Sequence, residues 1–236
     1  MKRFVFDSAD TDNVSKMGVG EWSLNLNHQI GCSKLVVSNI IIPHTFYNIN
    51  ESNNEFITTK IDHSITKTKI PIQYMNYNDI VSFIVDDMNI TFDKKTFKFT
   101  FNFEGVFIGP VVPIVSIQFT TSYKIFGFEK NIIYPIVLST PLISTNVSDL
   151  NSIPAIYIRC NQIHSKFVYN NYRTSILHRL PVDKPFGQLI TYQNNSTDMY
   201  VIQENIGYLQ FSLTDHKGQH INMNGADWKI EMVLID

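Results

Sequence analysis

His216 and His220 bracket the short polar turn Asp215-His216-Lys217-Gly218-Gln219-His220, and of the seven histidines only these two stand close together in the chain. On a hairpin, two imidazoles and the Asp215 carboxylate would splay toward one point, as in a metal site. Zinc takes three or four ligands in fixed geometry, however, and no cysteine or second histidine pair accompanies these. They read as a solvated turn. Asp86-Asp87 has the composition of a carboxylate pair for acid–base work, but adjacent residues on a helix do not face each other. Cys160 and His164 have the residue types of a nucleophile and its base. Four apart on a strand they share a face at ~13 Å, too far for the contact such a pair needs. There is no G-x-S-x-G elbow, P-loop or dinucleotide glycine motif. The expectation is no catalytic, cofactor-binding or metal-ligating residue, no cofactor, and no enzymatic activity. One binding candidate remains, Val168–Tyr172, whose Tyr169 and Tyr172 would stack on sugars or bases unless the loop packs on its own rings.

The elements that would carry any such residue are mostly strands. Leu35–Asn48, LVVSNIIIPHTFYN, is a nearly unbroken run of branched apolar residues, suited to a pleated, buried surface. Because it does not simply alternate, it reads as an inner strand covered on both faces. Pro43 cannot donate to a ladder, so regular pairing should stop or bulge there. Trp22, Leu24 and Leu26 alternate with polar residues, the mark of a half-buried strand. Phe56–Ile61 and an edge strand within Lys67–Tyr74 follow. Asn76–Met88 is the one credible helix, with Ile80, Ile84 and Met88 on one stripe and Asn76 with Asp79 as cap and acidic first turn. A hairpin around Asp93-Lys94-Lys95 leads into Phe97, Phe99, Phe101 and Phe103, whose period of two puts four rings into one wall. Pro135–Pro154 is a long connection. Ile206–Thr214 and Trp228–Ile235 close the chain as a last strand pair.

Low alanine speaks against a helical protein, and ten to twelve strands with no composition break predict an all-β fold. The expected architecture is an antiparallel single jelly-roll sandwich over residues 21–236, with one short helix at about 76–88. Residues 1–20 are expected to be an N-terminal arm whose removal leaves the subunit folded. A formal charge of −2 over 236 residues argues against a nucleic-acid binder. No stretch has the ~20 apolar residues of a membrane helix. Met1–Asp10 lacks an apolar signal core, and Cys32 and Cys160 read as buried thiols rather than a disulfide framework, which fits folding in a reducing cytoplasm.

Two segments resemble a known family. One is RFVFDSADTDN, followed by EWSLNLN and SNIIIPHTFYNIN. The other is FGQLITYQNNS with IGYLQFSLTDHKGQHINMNGADWKIEMVL. The pattern F-D-S-x-D, then I-P-x-T-x-Y-N-I, then L-x-D-x-x-G-x-x-I-x-x-N-G-x-x-W is similar to the penton (minor capsid) proteins of virophages and polinton-like viruses, related to minor capsid proteins of large DNA viruses. The resemblance implies a single jelly roll at icosahedral fivefold vertices, a homopentamer set among double-jelly-roll major capsid proteins. It implies a virion location and production in the host cytoplasm, and it carries no catalytic residue. Under it, Asp215–Gly218 and Asn224–Trp228 are turn chemistry rather than a binding site. The alternative is a carbohydrate- or receptor-binding β-sandwich, a fibre head or lectin, using Val168–Tyr172 and the Pro135–Pro154 connection.

Overall fold

The computed structural model describes residues 2–30, 34–83, 88–103, 114–137, 140–164, 168–169, 172–173, 175–194, 200–202 and 206–235. Over these described residues the fold is nearly all antiparallel β, with two short helices. No helix among the described residues is long and apolar enough to cross a membrane. The chain divides into two compact units, Met1–Phe46 with Ile153–Asp236, and Tyr47–Ser152. This differs from the single domain expected over 21–236, because the second unit has a core of its own between two segments of the first.

The first unit begins with β1 (Lys2–Asp7), β2 (Val14–Gly18), β3 (Glu21–Ile30) and β4 (Lys34–Pro43). The second unit follows, with β5 (Glu55–Lys60), β6 (Ile65–Lys69), α1 (Tyr77–Val81), β7 (Met88–Asp93), β8 (Lys98–Phe103), β9 (Ile114–Phe119), α2 (Tyr123–Phe126), β10 (Ile133–Pro135) and β11 (Leu142–Ile143). The chain then completes the first unit with β12 (Ala155–Cys160), β13 (Ile163–His164), β14 (Val168–Tyr169), β15 (Tyr172–Arg173), β16 (Ile176–Pro181), β17 (Leu189–Gln193), β18 (Tyr200–Ile202), β19 (Ile206–Thr214) and β20 (Lys229–Ile235).

In the first unit, one sheet runs β1-β20-β4, with β17 and β18 on the far edge of β4, and the other runs β16-β12-β19-β3-β2. Take β1, β3, β4, β12, β16, β17, β19 and β20 as strands one to eight. The sheets then read one-eight-three-six and five-four-seven-two, the interleaved Greek keys of a jelly roll. The two sheets share one core. Phe6 of β1 stands 4.9 Å from Phe211 of β19, and Trp22 of β3 stands 5.5 Å from Trp228 at the start of β20.

Residues 1–20 are therefore not an arm. Residues 2–7 pair in full with β20, and Phe6 is 0% exposed. Phe4 and Phe6 alternate with the exposed Arg3 and Val5, which is the period of a strand and not of a loose tail. Likewise β19 and β20 are not a pair, since they lie in opposite sheets: β19 pairs with β3 and β12, and β20 with β1 and β4.

The broken alternation of β4 has a local cause. Its register with β20 shifts between Glu231 and Met232, so Ser38 is an extra residue, a bulge. Leu35 and Val37 face the core before it, and Ile40 and Ile42 after it. The run is two half-buried strands out of phase, not one strand sealed on both faces. The bulge is held by Ser38 Oγ, which donates to the Glu231 carbonyl at 3.1 Å.

The second unit packs the sheets β10-β9-β5-β6 and β11-β8-β7 around an aromatic core. β6 lies at a sheet edge, as its lysines and Pro71 suggest. The helix is shorter than expected. Asn76 and Asp79 do form a reciprocal capping box, but α1 ends at Val81, and Met88 belongs to β7. The phenylalanine wall is also one ring shorter. Asp93 accepts from Lys95 N and from Thr96 Oγ1, which draws the turn on to Phe97, at φ +53 and half exposed. Phe99 and Phe101 are 0% exposed, and Phe103 packs at the margin.

Candidate functional site

The residues of the three sequence patterns meet one another in the first unit. Ser8, the serine of F-D-S-x-D, accepts a hydrogen bond from Trp228 N at 2.9 Å and donates one to Asp227 Oδ1 at 2.9 Å. Its own N–H donates to the Trp228 carbonyl at 3.0 Å. Beside it, Lys229 Nζ lies 2.6 Å from Asp7 Oδ2, and this bond holds the Asp7 carboxyl below the usual carboxylate range. Thr45, the threonine of I-P-x-T, donates through Oγ1 to the Met223 carbonyl at 2.8 Å, and its own carbonyl accepts from Asn224 Nδ2 at 2.6 Å. Asp215 Oδ1 accepts from Lys217 N and Gln219 N, closing a turn that Gly218 completes at φ +82. Gly225 follows at φ +83, a conformation side-chain-bearing residues avoid. In the second unit, Asn48 of Y-N-I bonds Met75 in both directions, at 2.7 and 2.9 Å. These side chains spend their hydrogen bonds on backbone and, at Ser8 and Asp7, on neighbouring side chains, and their chemistry is that of clasps. Ser8→Ala would leave the Trp228 N–H beside a buried ring without its acceptor. It is expected to cost about 1–3 kcal/mol, read by denaturant titration; an unchanged midpoint would contradict it.

Among the described residues, those weighed for chemistry are not brought together as a site. His216 is exposed, and His220 Nε2 lies 3.5 Å from Glu21 Oε1. Among the described residues no three or more His, Cys, Asp or Glu side chains group as metal ligands. Cys160 is fully buried, and burial pushes its thiol up to about 12, which leaves no reactive thiolate near neutral pH. Cys32, Asp86, Asp87, Asn170 and Asn171 lie outside the described residues, as do the side chains of His164, Tyr169 and Tyr172. The backbone at Tyr169 and Tyr172 pairs as the β14–β15 hairpin.

The outer face of the β16-β12-β19-β3-β2 sheet carries a feature the sequence reading missed. A cavity of about 400 Å³ is lined by Glu21, Arg159, Asn161, Gln210, Ser212 and His220, with Phe211, Thr214 and Gly218 completing its wall. Arg159 Nε donates to Thr214 Oγ1 at 3.0 Å. Asn161 Nδ2 donates to Gln210 Oε1 at 2.9 Å. Alternation supplies the polar side chains: Ile158, Cys160, Leu209 and Phe211 point inward, so Arg159, Asn161, Gln210 and Ser212 point outward. The period of two was visible in each segment, but the pairing of Arg159 with Ser212 was not.

No family model matches the chain, and no curated relative is detectably similar. Among solved structures, the crystal structure of a selenomethionine-labelled mavirus penton protein is similar at a TM-score of 0.47 and 12% identity, over 99% of this chain and 92% of that one. A likeness this distant carries no functional weight by itself.

Proposed function

We propose that the chain is a structural subunit of a viral capsid, a penton-type minor capsid protein that forms a homopentamer at icosahedral fivefold vertices. The observation that supports this most is the meeting of the family-like motifs: F-D-S-x-D, I-P-x-T and N-G-x-x-W clasp one another across a jelly roll of the expected strand order. Their residues hold the ends of β1, β4 and β20 in place, which is a reason for a shell protein to keep them. A ring of five is a closed heterologous assembly, and it asks each subunit for two different complementary surfaces. The neighbours in the shell would be double-jelly-roll major capsid proteins, with the chain made in the host cytoplasm and carried in the virion.

The test is co-expression with a double-jelly-roll major capsid protein, followed by microscopy of the particles. The expected result is five copies of a jelly roll around each fivefold axis. Particles that close their vertices without this chain would overturn the proposal.

A further inference from the structure

We propose that the cavity on the outer face of the β16-β12-β19-β3-β2 sheet binds a small hydroxylated monocarboxylate, in chemical class an acidic sugar. This goes beyond the capsid role and does not depend on it.

The argument begins with Arg159. Its Nε–H is committed to Thr214 Oγ1, and Thr214 is itself 2% exposed, so the guanidinium plane is anchored from below by a buried group. Among the described residues its remaining N–H donors have no protein acceptor. A planar fork of spare donors, fixed at one end and lining a cavity, matches a carboxylate in bidentate geometry.

The rest of the wall selects the body of the ligand. The Asn161–Gln210 bond uses one donor of Asn161 and leaves the Gln210 amide donors and the Asn161 carbonyl oxygen for a guest. The Ser212 hydroxyl and the Glu21 carboxylate add a donor–acceptor and an acceptor. Small-molecule sites are usually dominated by apolar and aromatic side chains. Here the one apolar side chain in the wall, Phe211, is 0% exposed and turned into the core. The guest must therefore be rich in hydroxyls rather than apolar. Its volume falls within the range of about 300–1,000 Å³ typical of such sites.

Charge sets the last constraint. One arginine faces one carboxylate, Glu21, across the cavity, with His220 beside that carboxylate at 3.5 Å. A single anionic charge is matched by Arg159. A phosphate dianion would meet the Glu21 carboxylate with its second charge.

The experiment titrates the full chain with glucuronate, glucose and glucose 1-phosphate, reading backbone amide shifts or heat. Glucuronate is expected to bind at least tenfold tighter than glucose and no weaker than glucose 1-phosphate. Arg159→Lys keeps the charge and loses the fork, and should abolish the tenfold preference; it also removes the donor to the buried Thr214, so the unfolding midpoint is expected to fall while the transition stays cooperative and the variant stays folded at the titration temperature. Glu21→Gln, at the exposed rim, should leave the fold intact and raise the affinity for glucose 1-phosphate relative to glucuronate. Equal binding of glucuronate and glucose, shifts confined to residues away from the cavity, or no saturable binding at millimolar glucuronate would each overturn the proposal.

Discussion

Removing Met1–Gly20 is expected to abolish the cooperative unfolding transition of the jelly-roll unit. The truncation takes away β1, which pairs along its whole length with β20, and β2, which covers the edge of β3. It also takes Phe6, whose ring lies 4.7 Å from Trp228 and 4.9 Å from Phe211, and Val14, buried with them. Loss of one buried phenylalanine alone typically costs about 3–5 kcal/mol, and a domain has only about 5–15 kcal/mol in hand. Losing the strand as well leaves β20 with an open edge and Trp228 without the Ser8 clasp. The chain has two tryptophans, Trp22 and Trp228, and both sit in this core. Tryptophan fluorescence therefore follows this unit alone. A truncated chain that keeps a sharp fluorescence transition at an unchanged midpoint would show that β1 is dispensable.

The second large effect is expected at Phe101 in the other unit. Phe101 is 0% exposed, and its ring meets Phe126 at 5.2 Å, Phe119 at 5.5 Å and Phe128 at 5.7 Å. Phe101→Ala empties the centre of that cluster, where strands from both sheets and α2 converge and little can collapse to fill the void. The expected loss is roughly 3–5 kcal/mol, as for other buried aromatic truncations. Phe97→Ala, at the exposed turn, is expected to cost under ~1 kcal/mol. Hydrogen exchange at the β7 and β8 amides measures both. Equal losses at the two positions would mean that the four-ring wall of the sequence reading is correct after all.

Local patterns carried much of this fold. Trp22, Leu24 and Leu26 announce β3, and Asn76 with Asp79 announces the capping box, because each signal depends on neighbours a few residues away. What local pattern cannot supply is pairing. β1 looks like a tail until β20 is placed beside it, since its hydrogen bonds go to residues more than 200 positions away. β19 and β20 look like a hairpin because adjacent strands usually pair, yet a jelly roll crosses between sheets at that point. The bulge at Ser38 turns an alternating strand into an apparently continuous one. The division at Phe46 and Ile153 leaves no trace in composition, because both units draw on the same aromatic and β-branched residues. The cavity escaped for the same reason as the pairing: Glu21, Arg159 and Gln210 come from three strands far apart in the chain.

The place of β20 between β1 and β4 has a consequence for biosynthesis. Until β20 leaves the ribosome, that sheet exists only as two unjoined halves, with Phe6 on one and Ile40 on the other. The Tyr47–Ser152 unit has no such wait, since every ladder among its described residues closes between strands of that unit. Non-local pairing of this kind is intrinsically slow. A nascent chain stalled before Lys229 must therefore carry a finished Tyr47–Ser152 unit while its other unit still has an open, adhesive sheet.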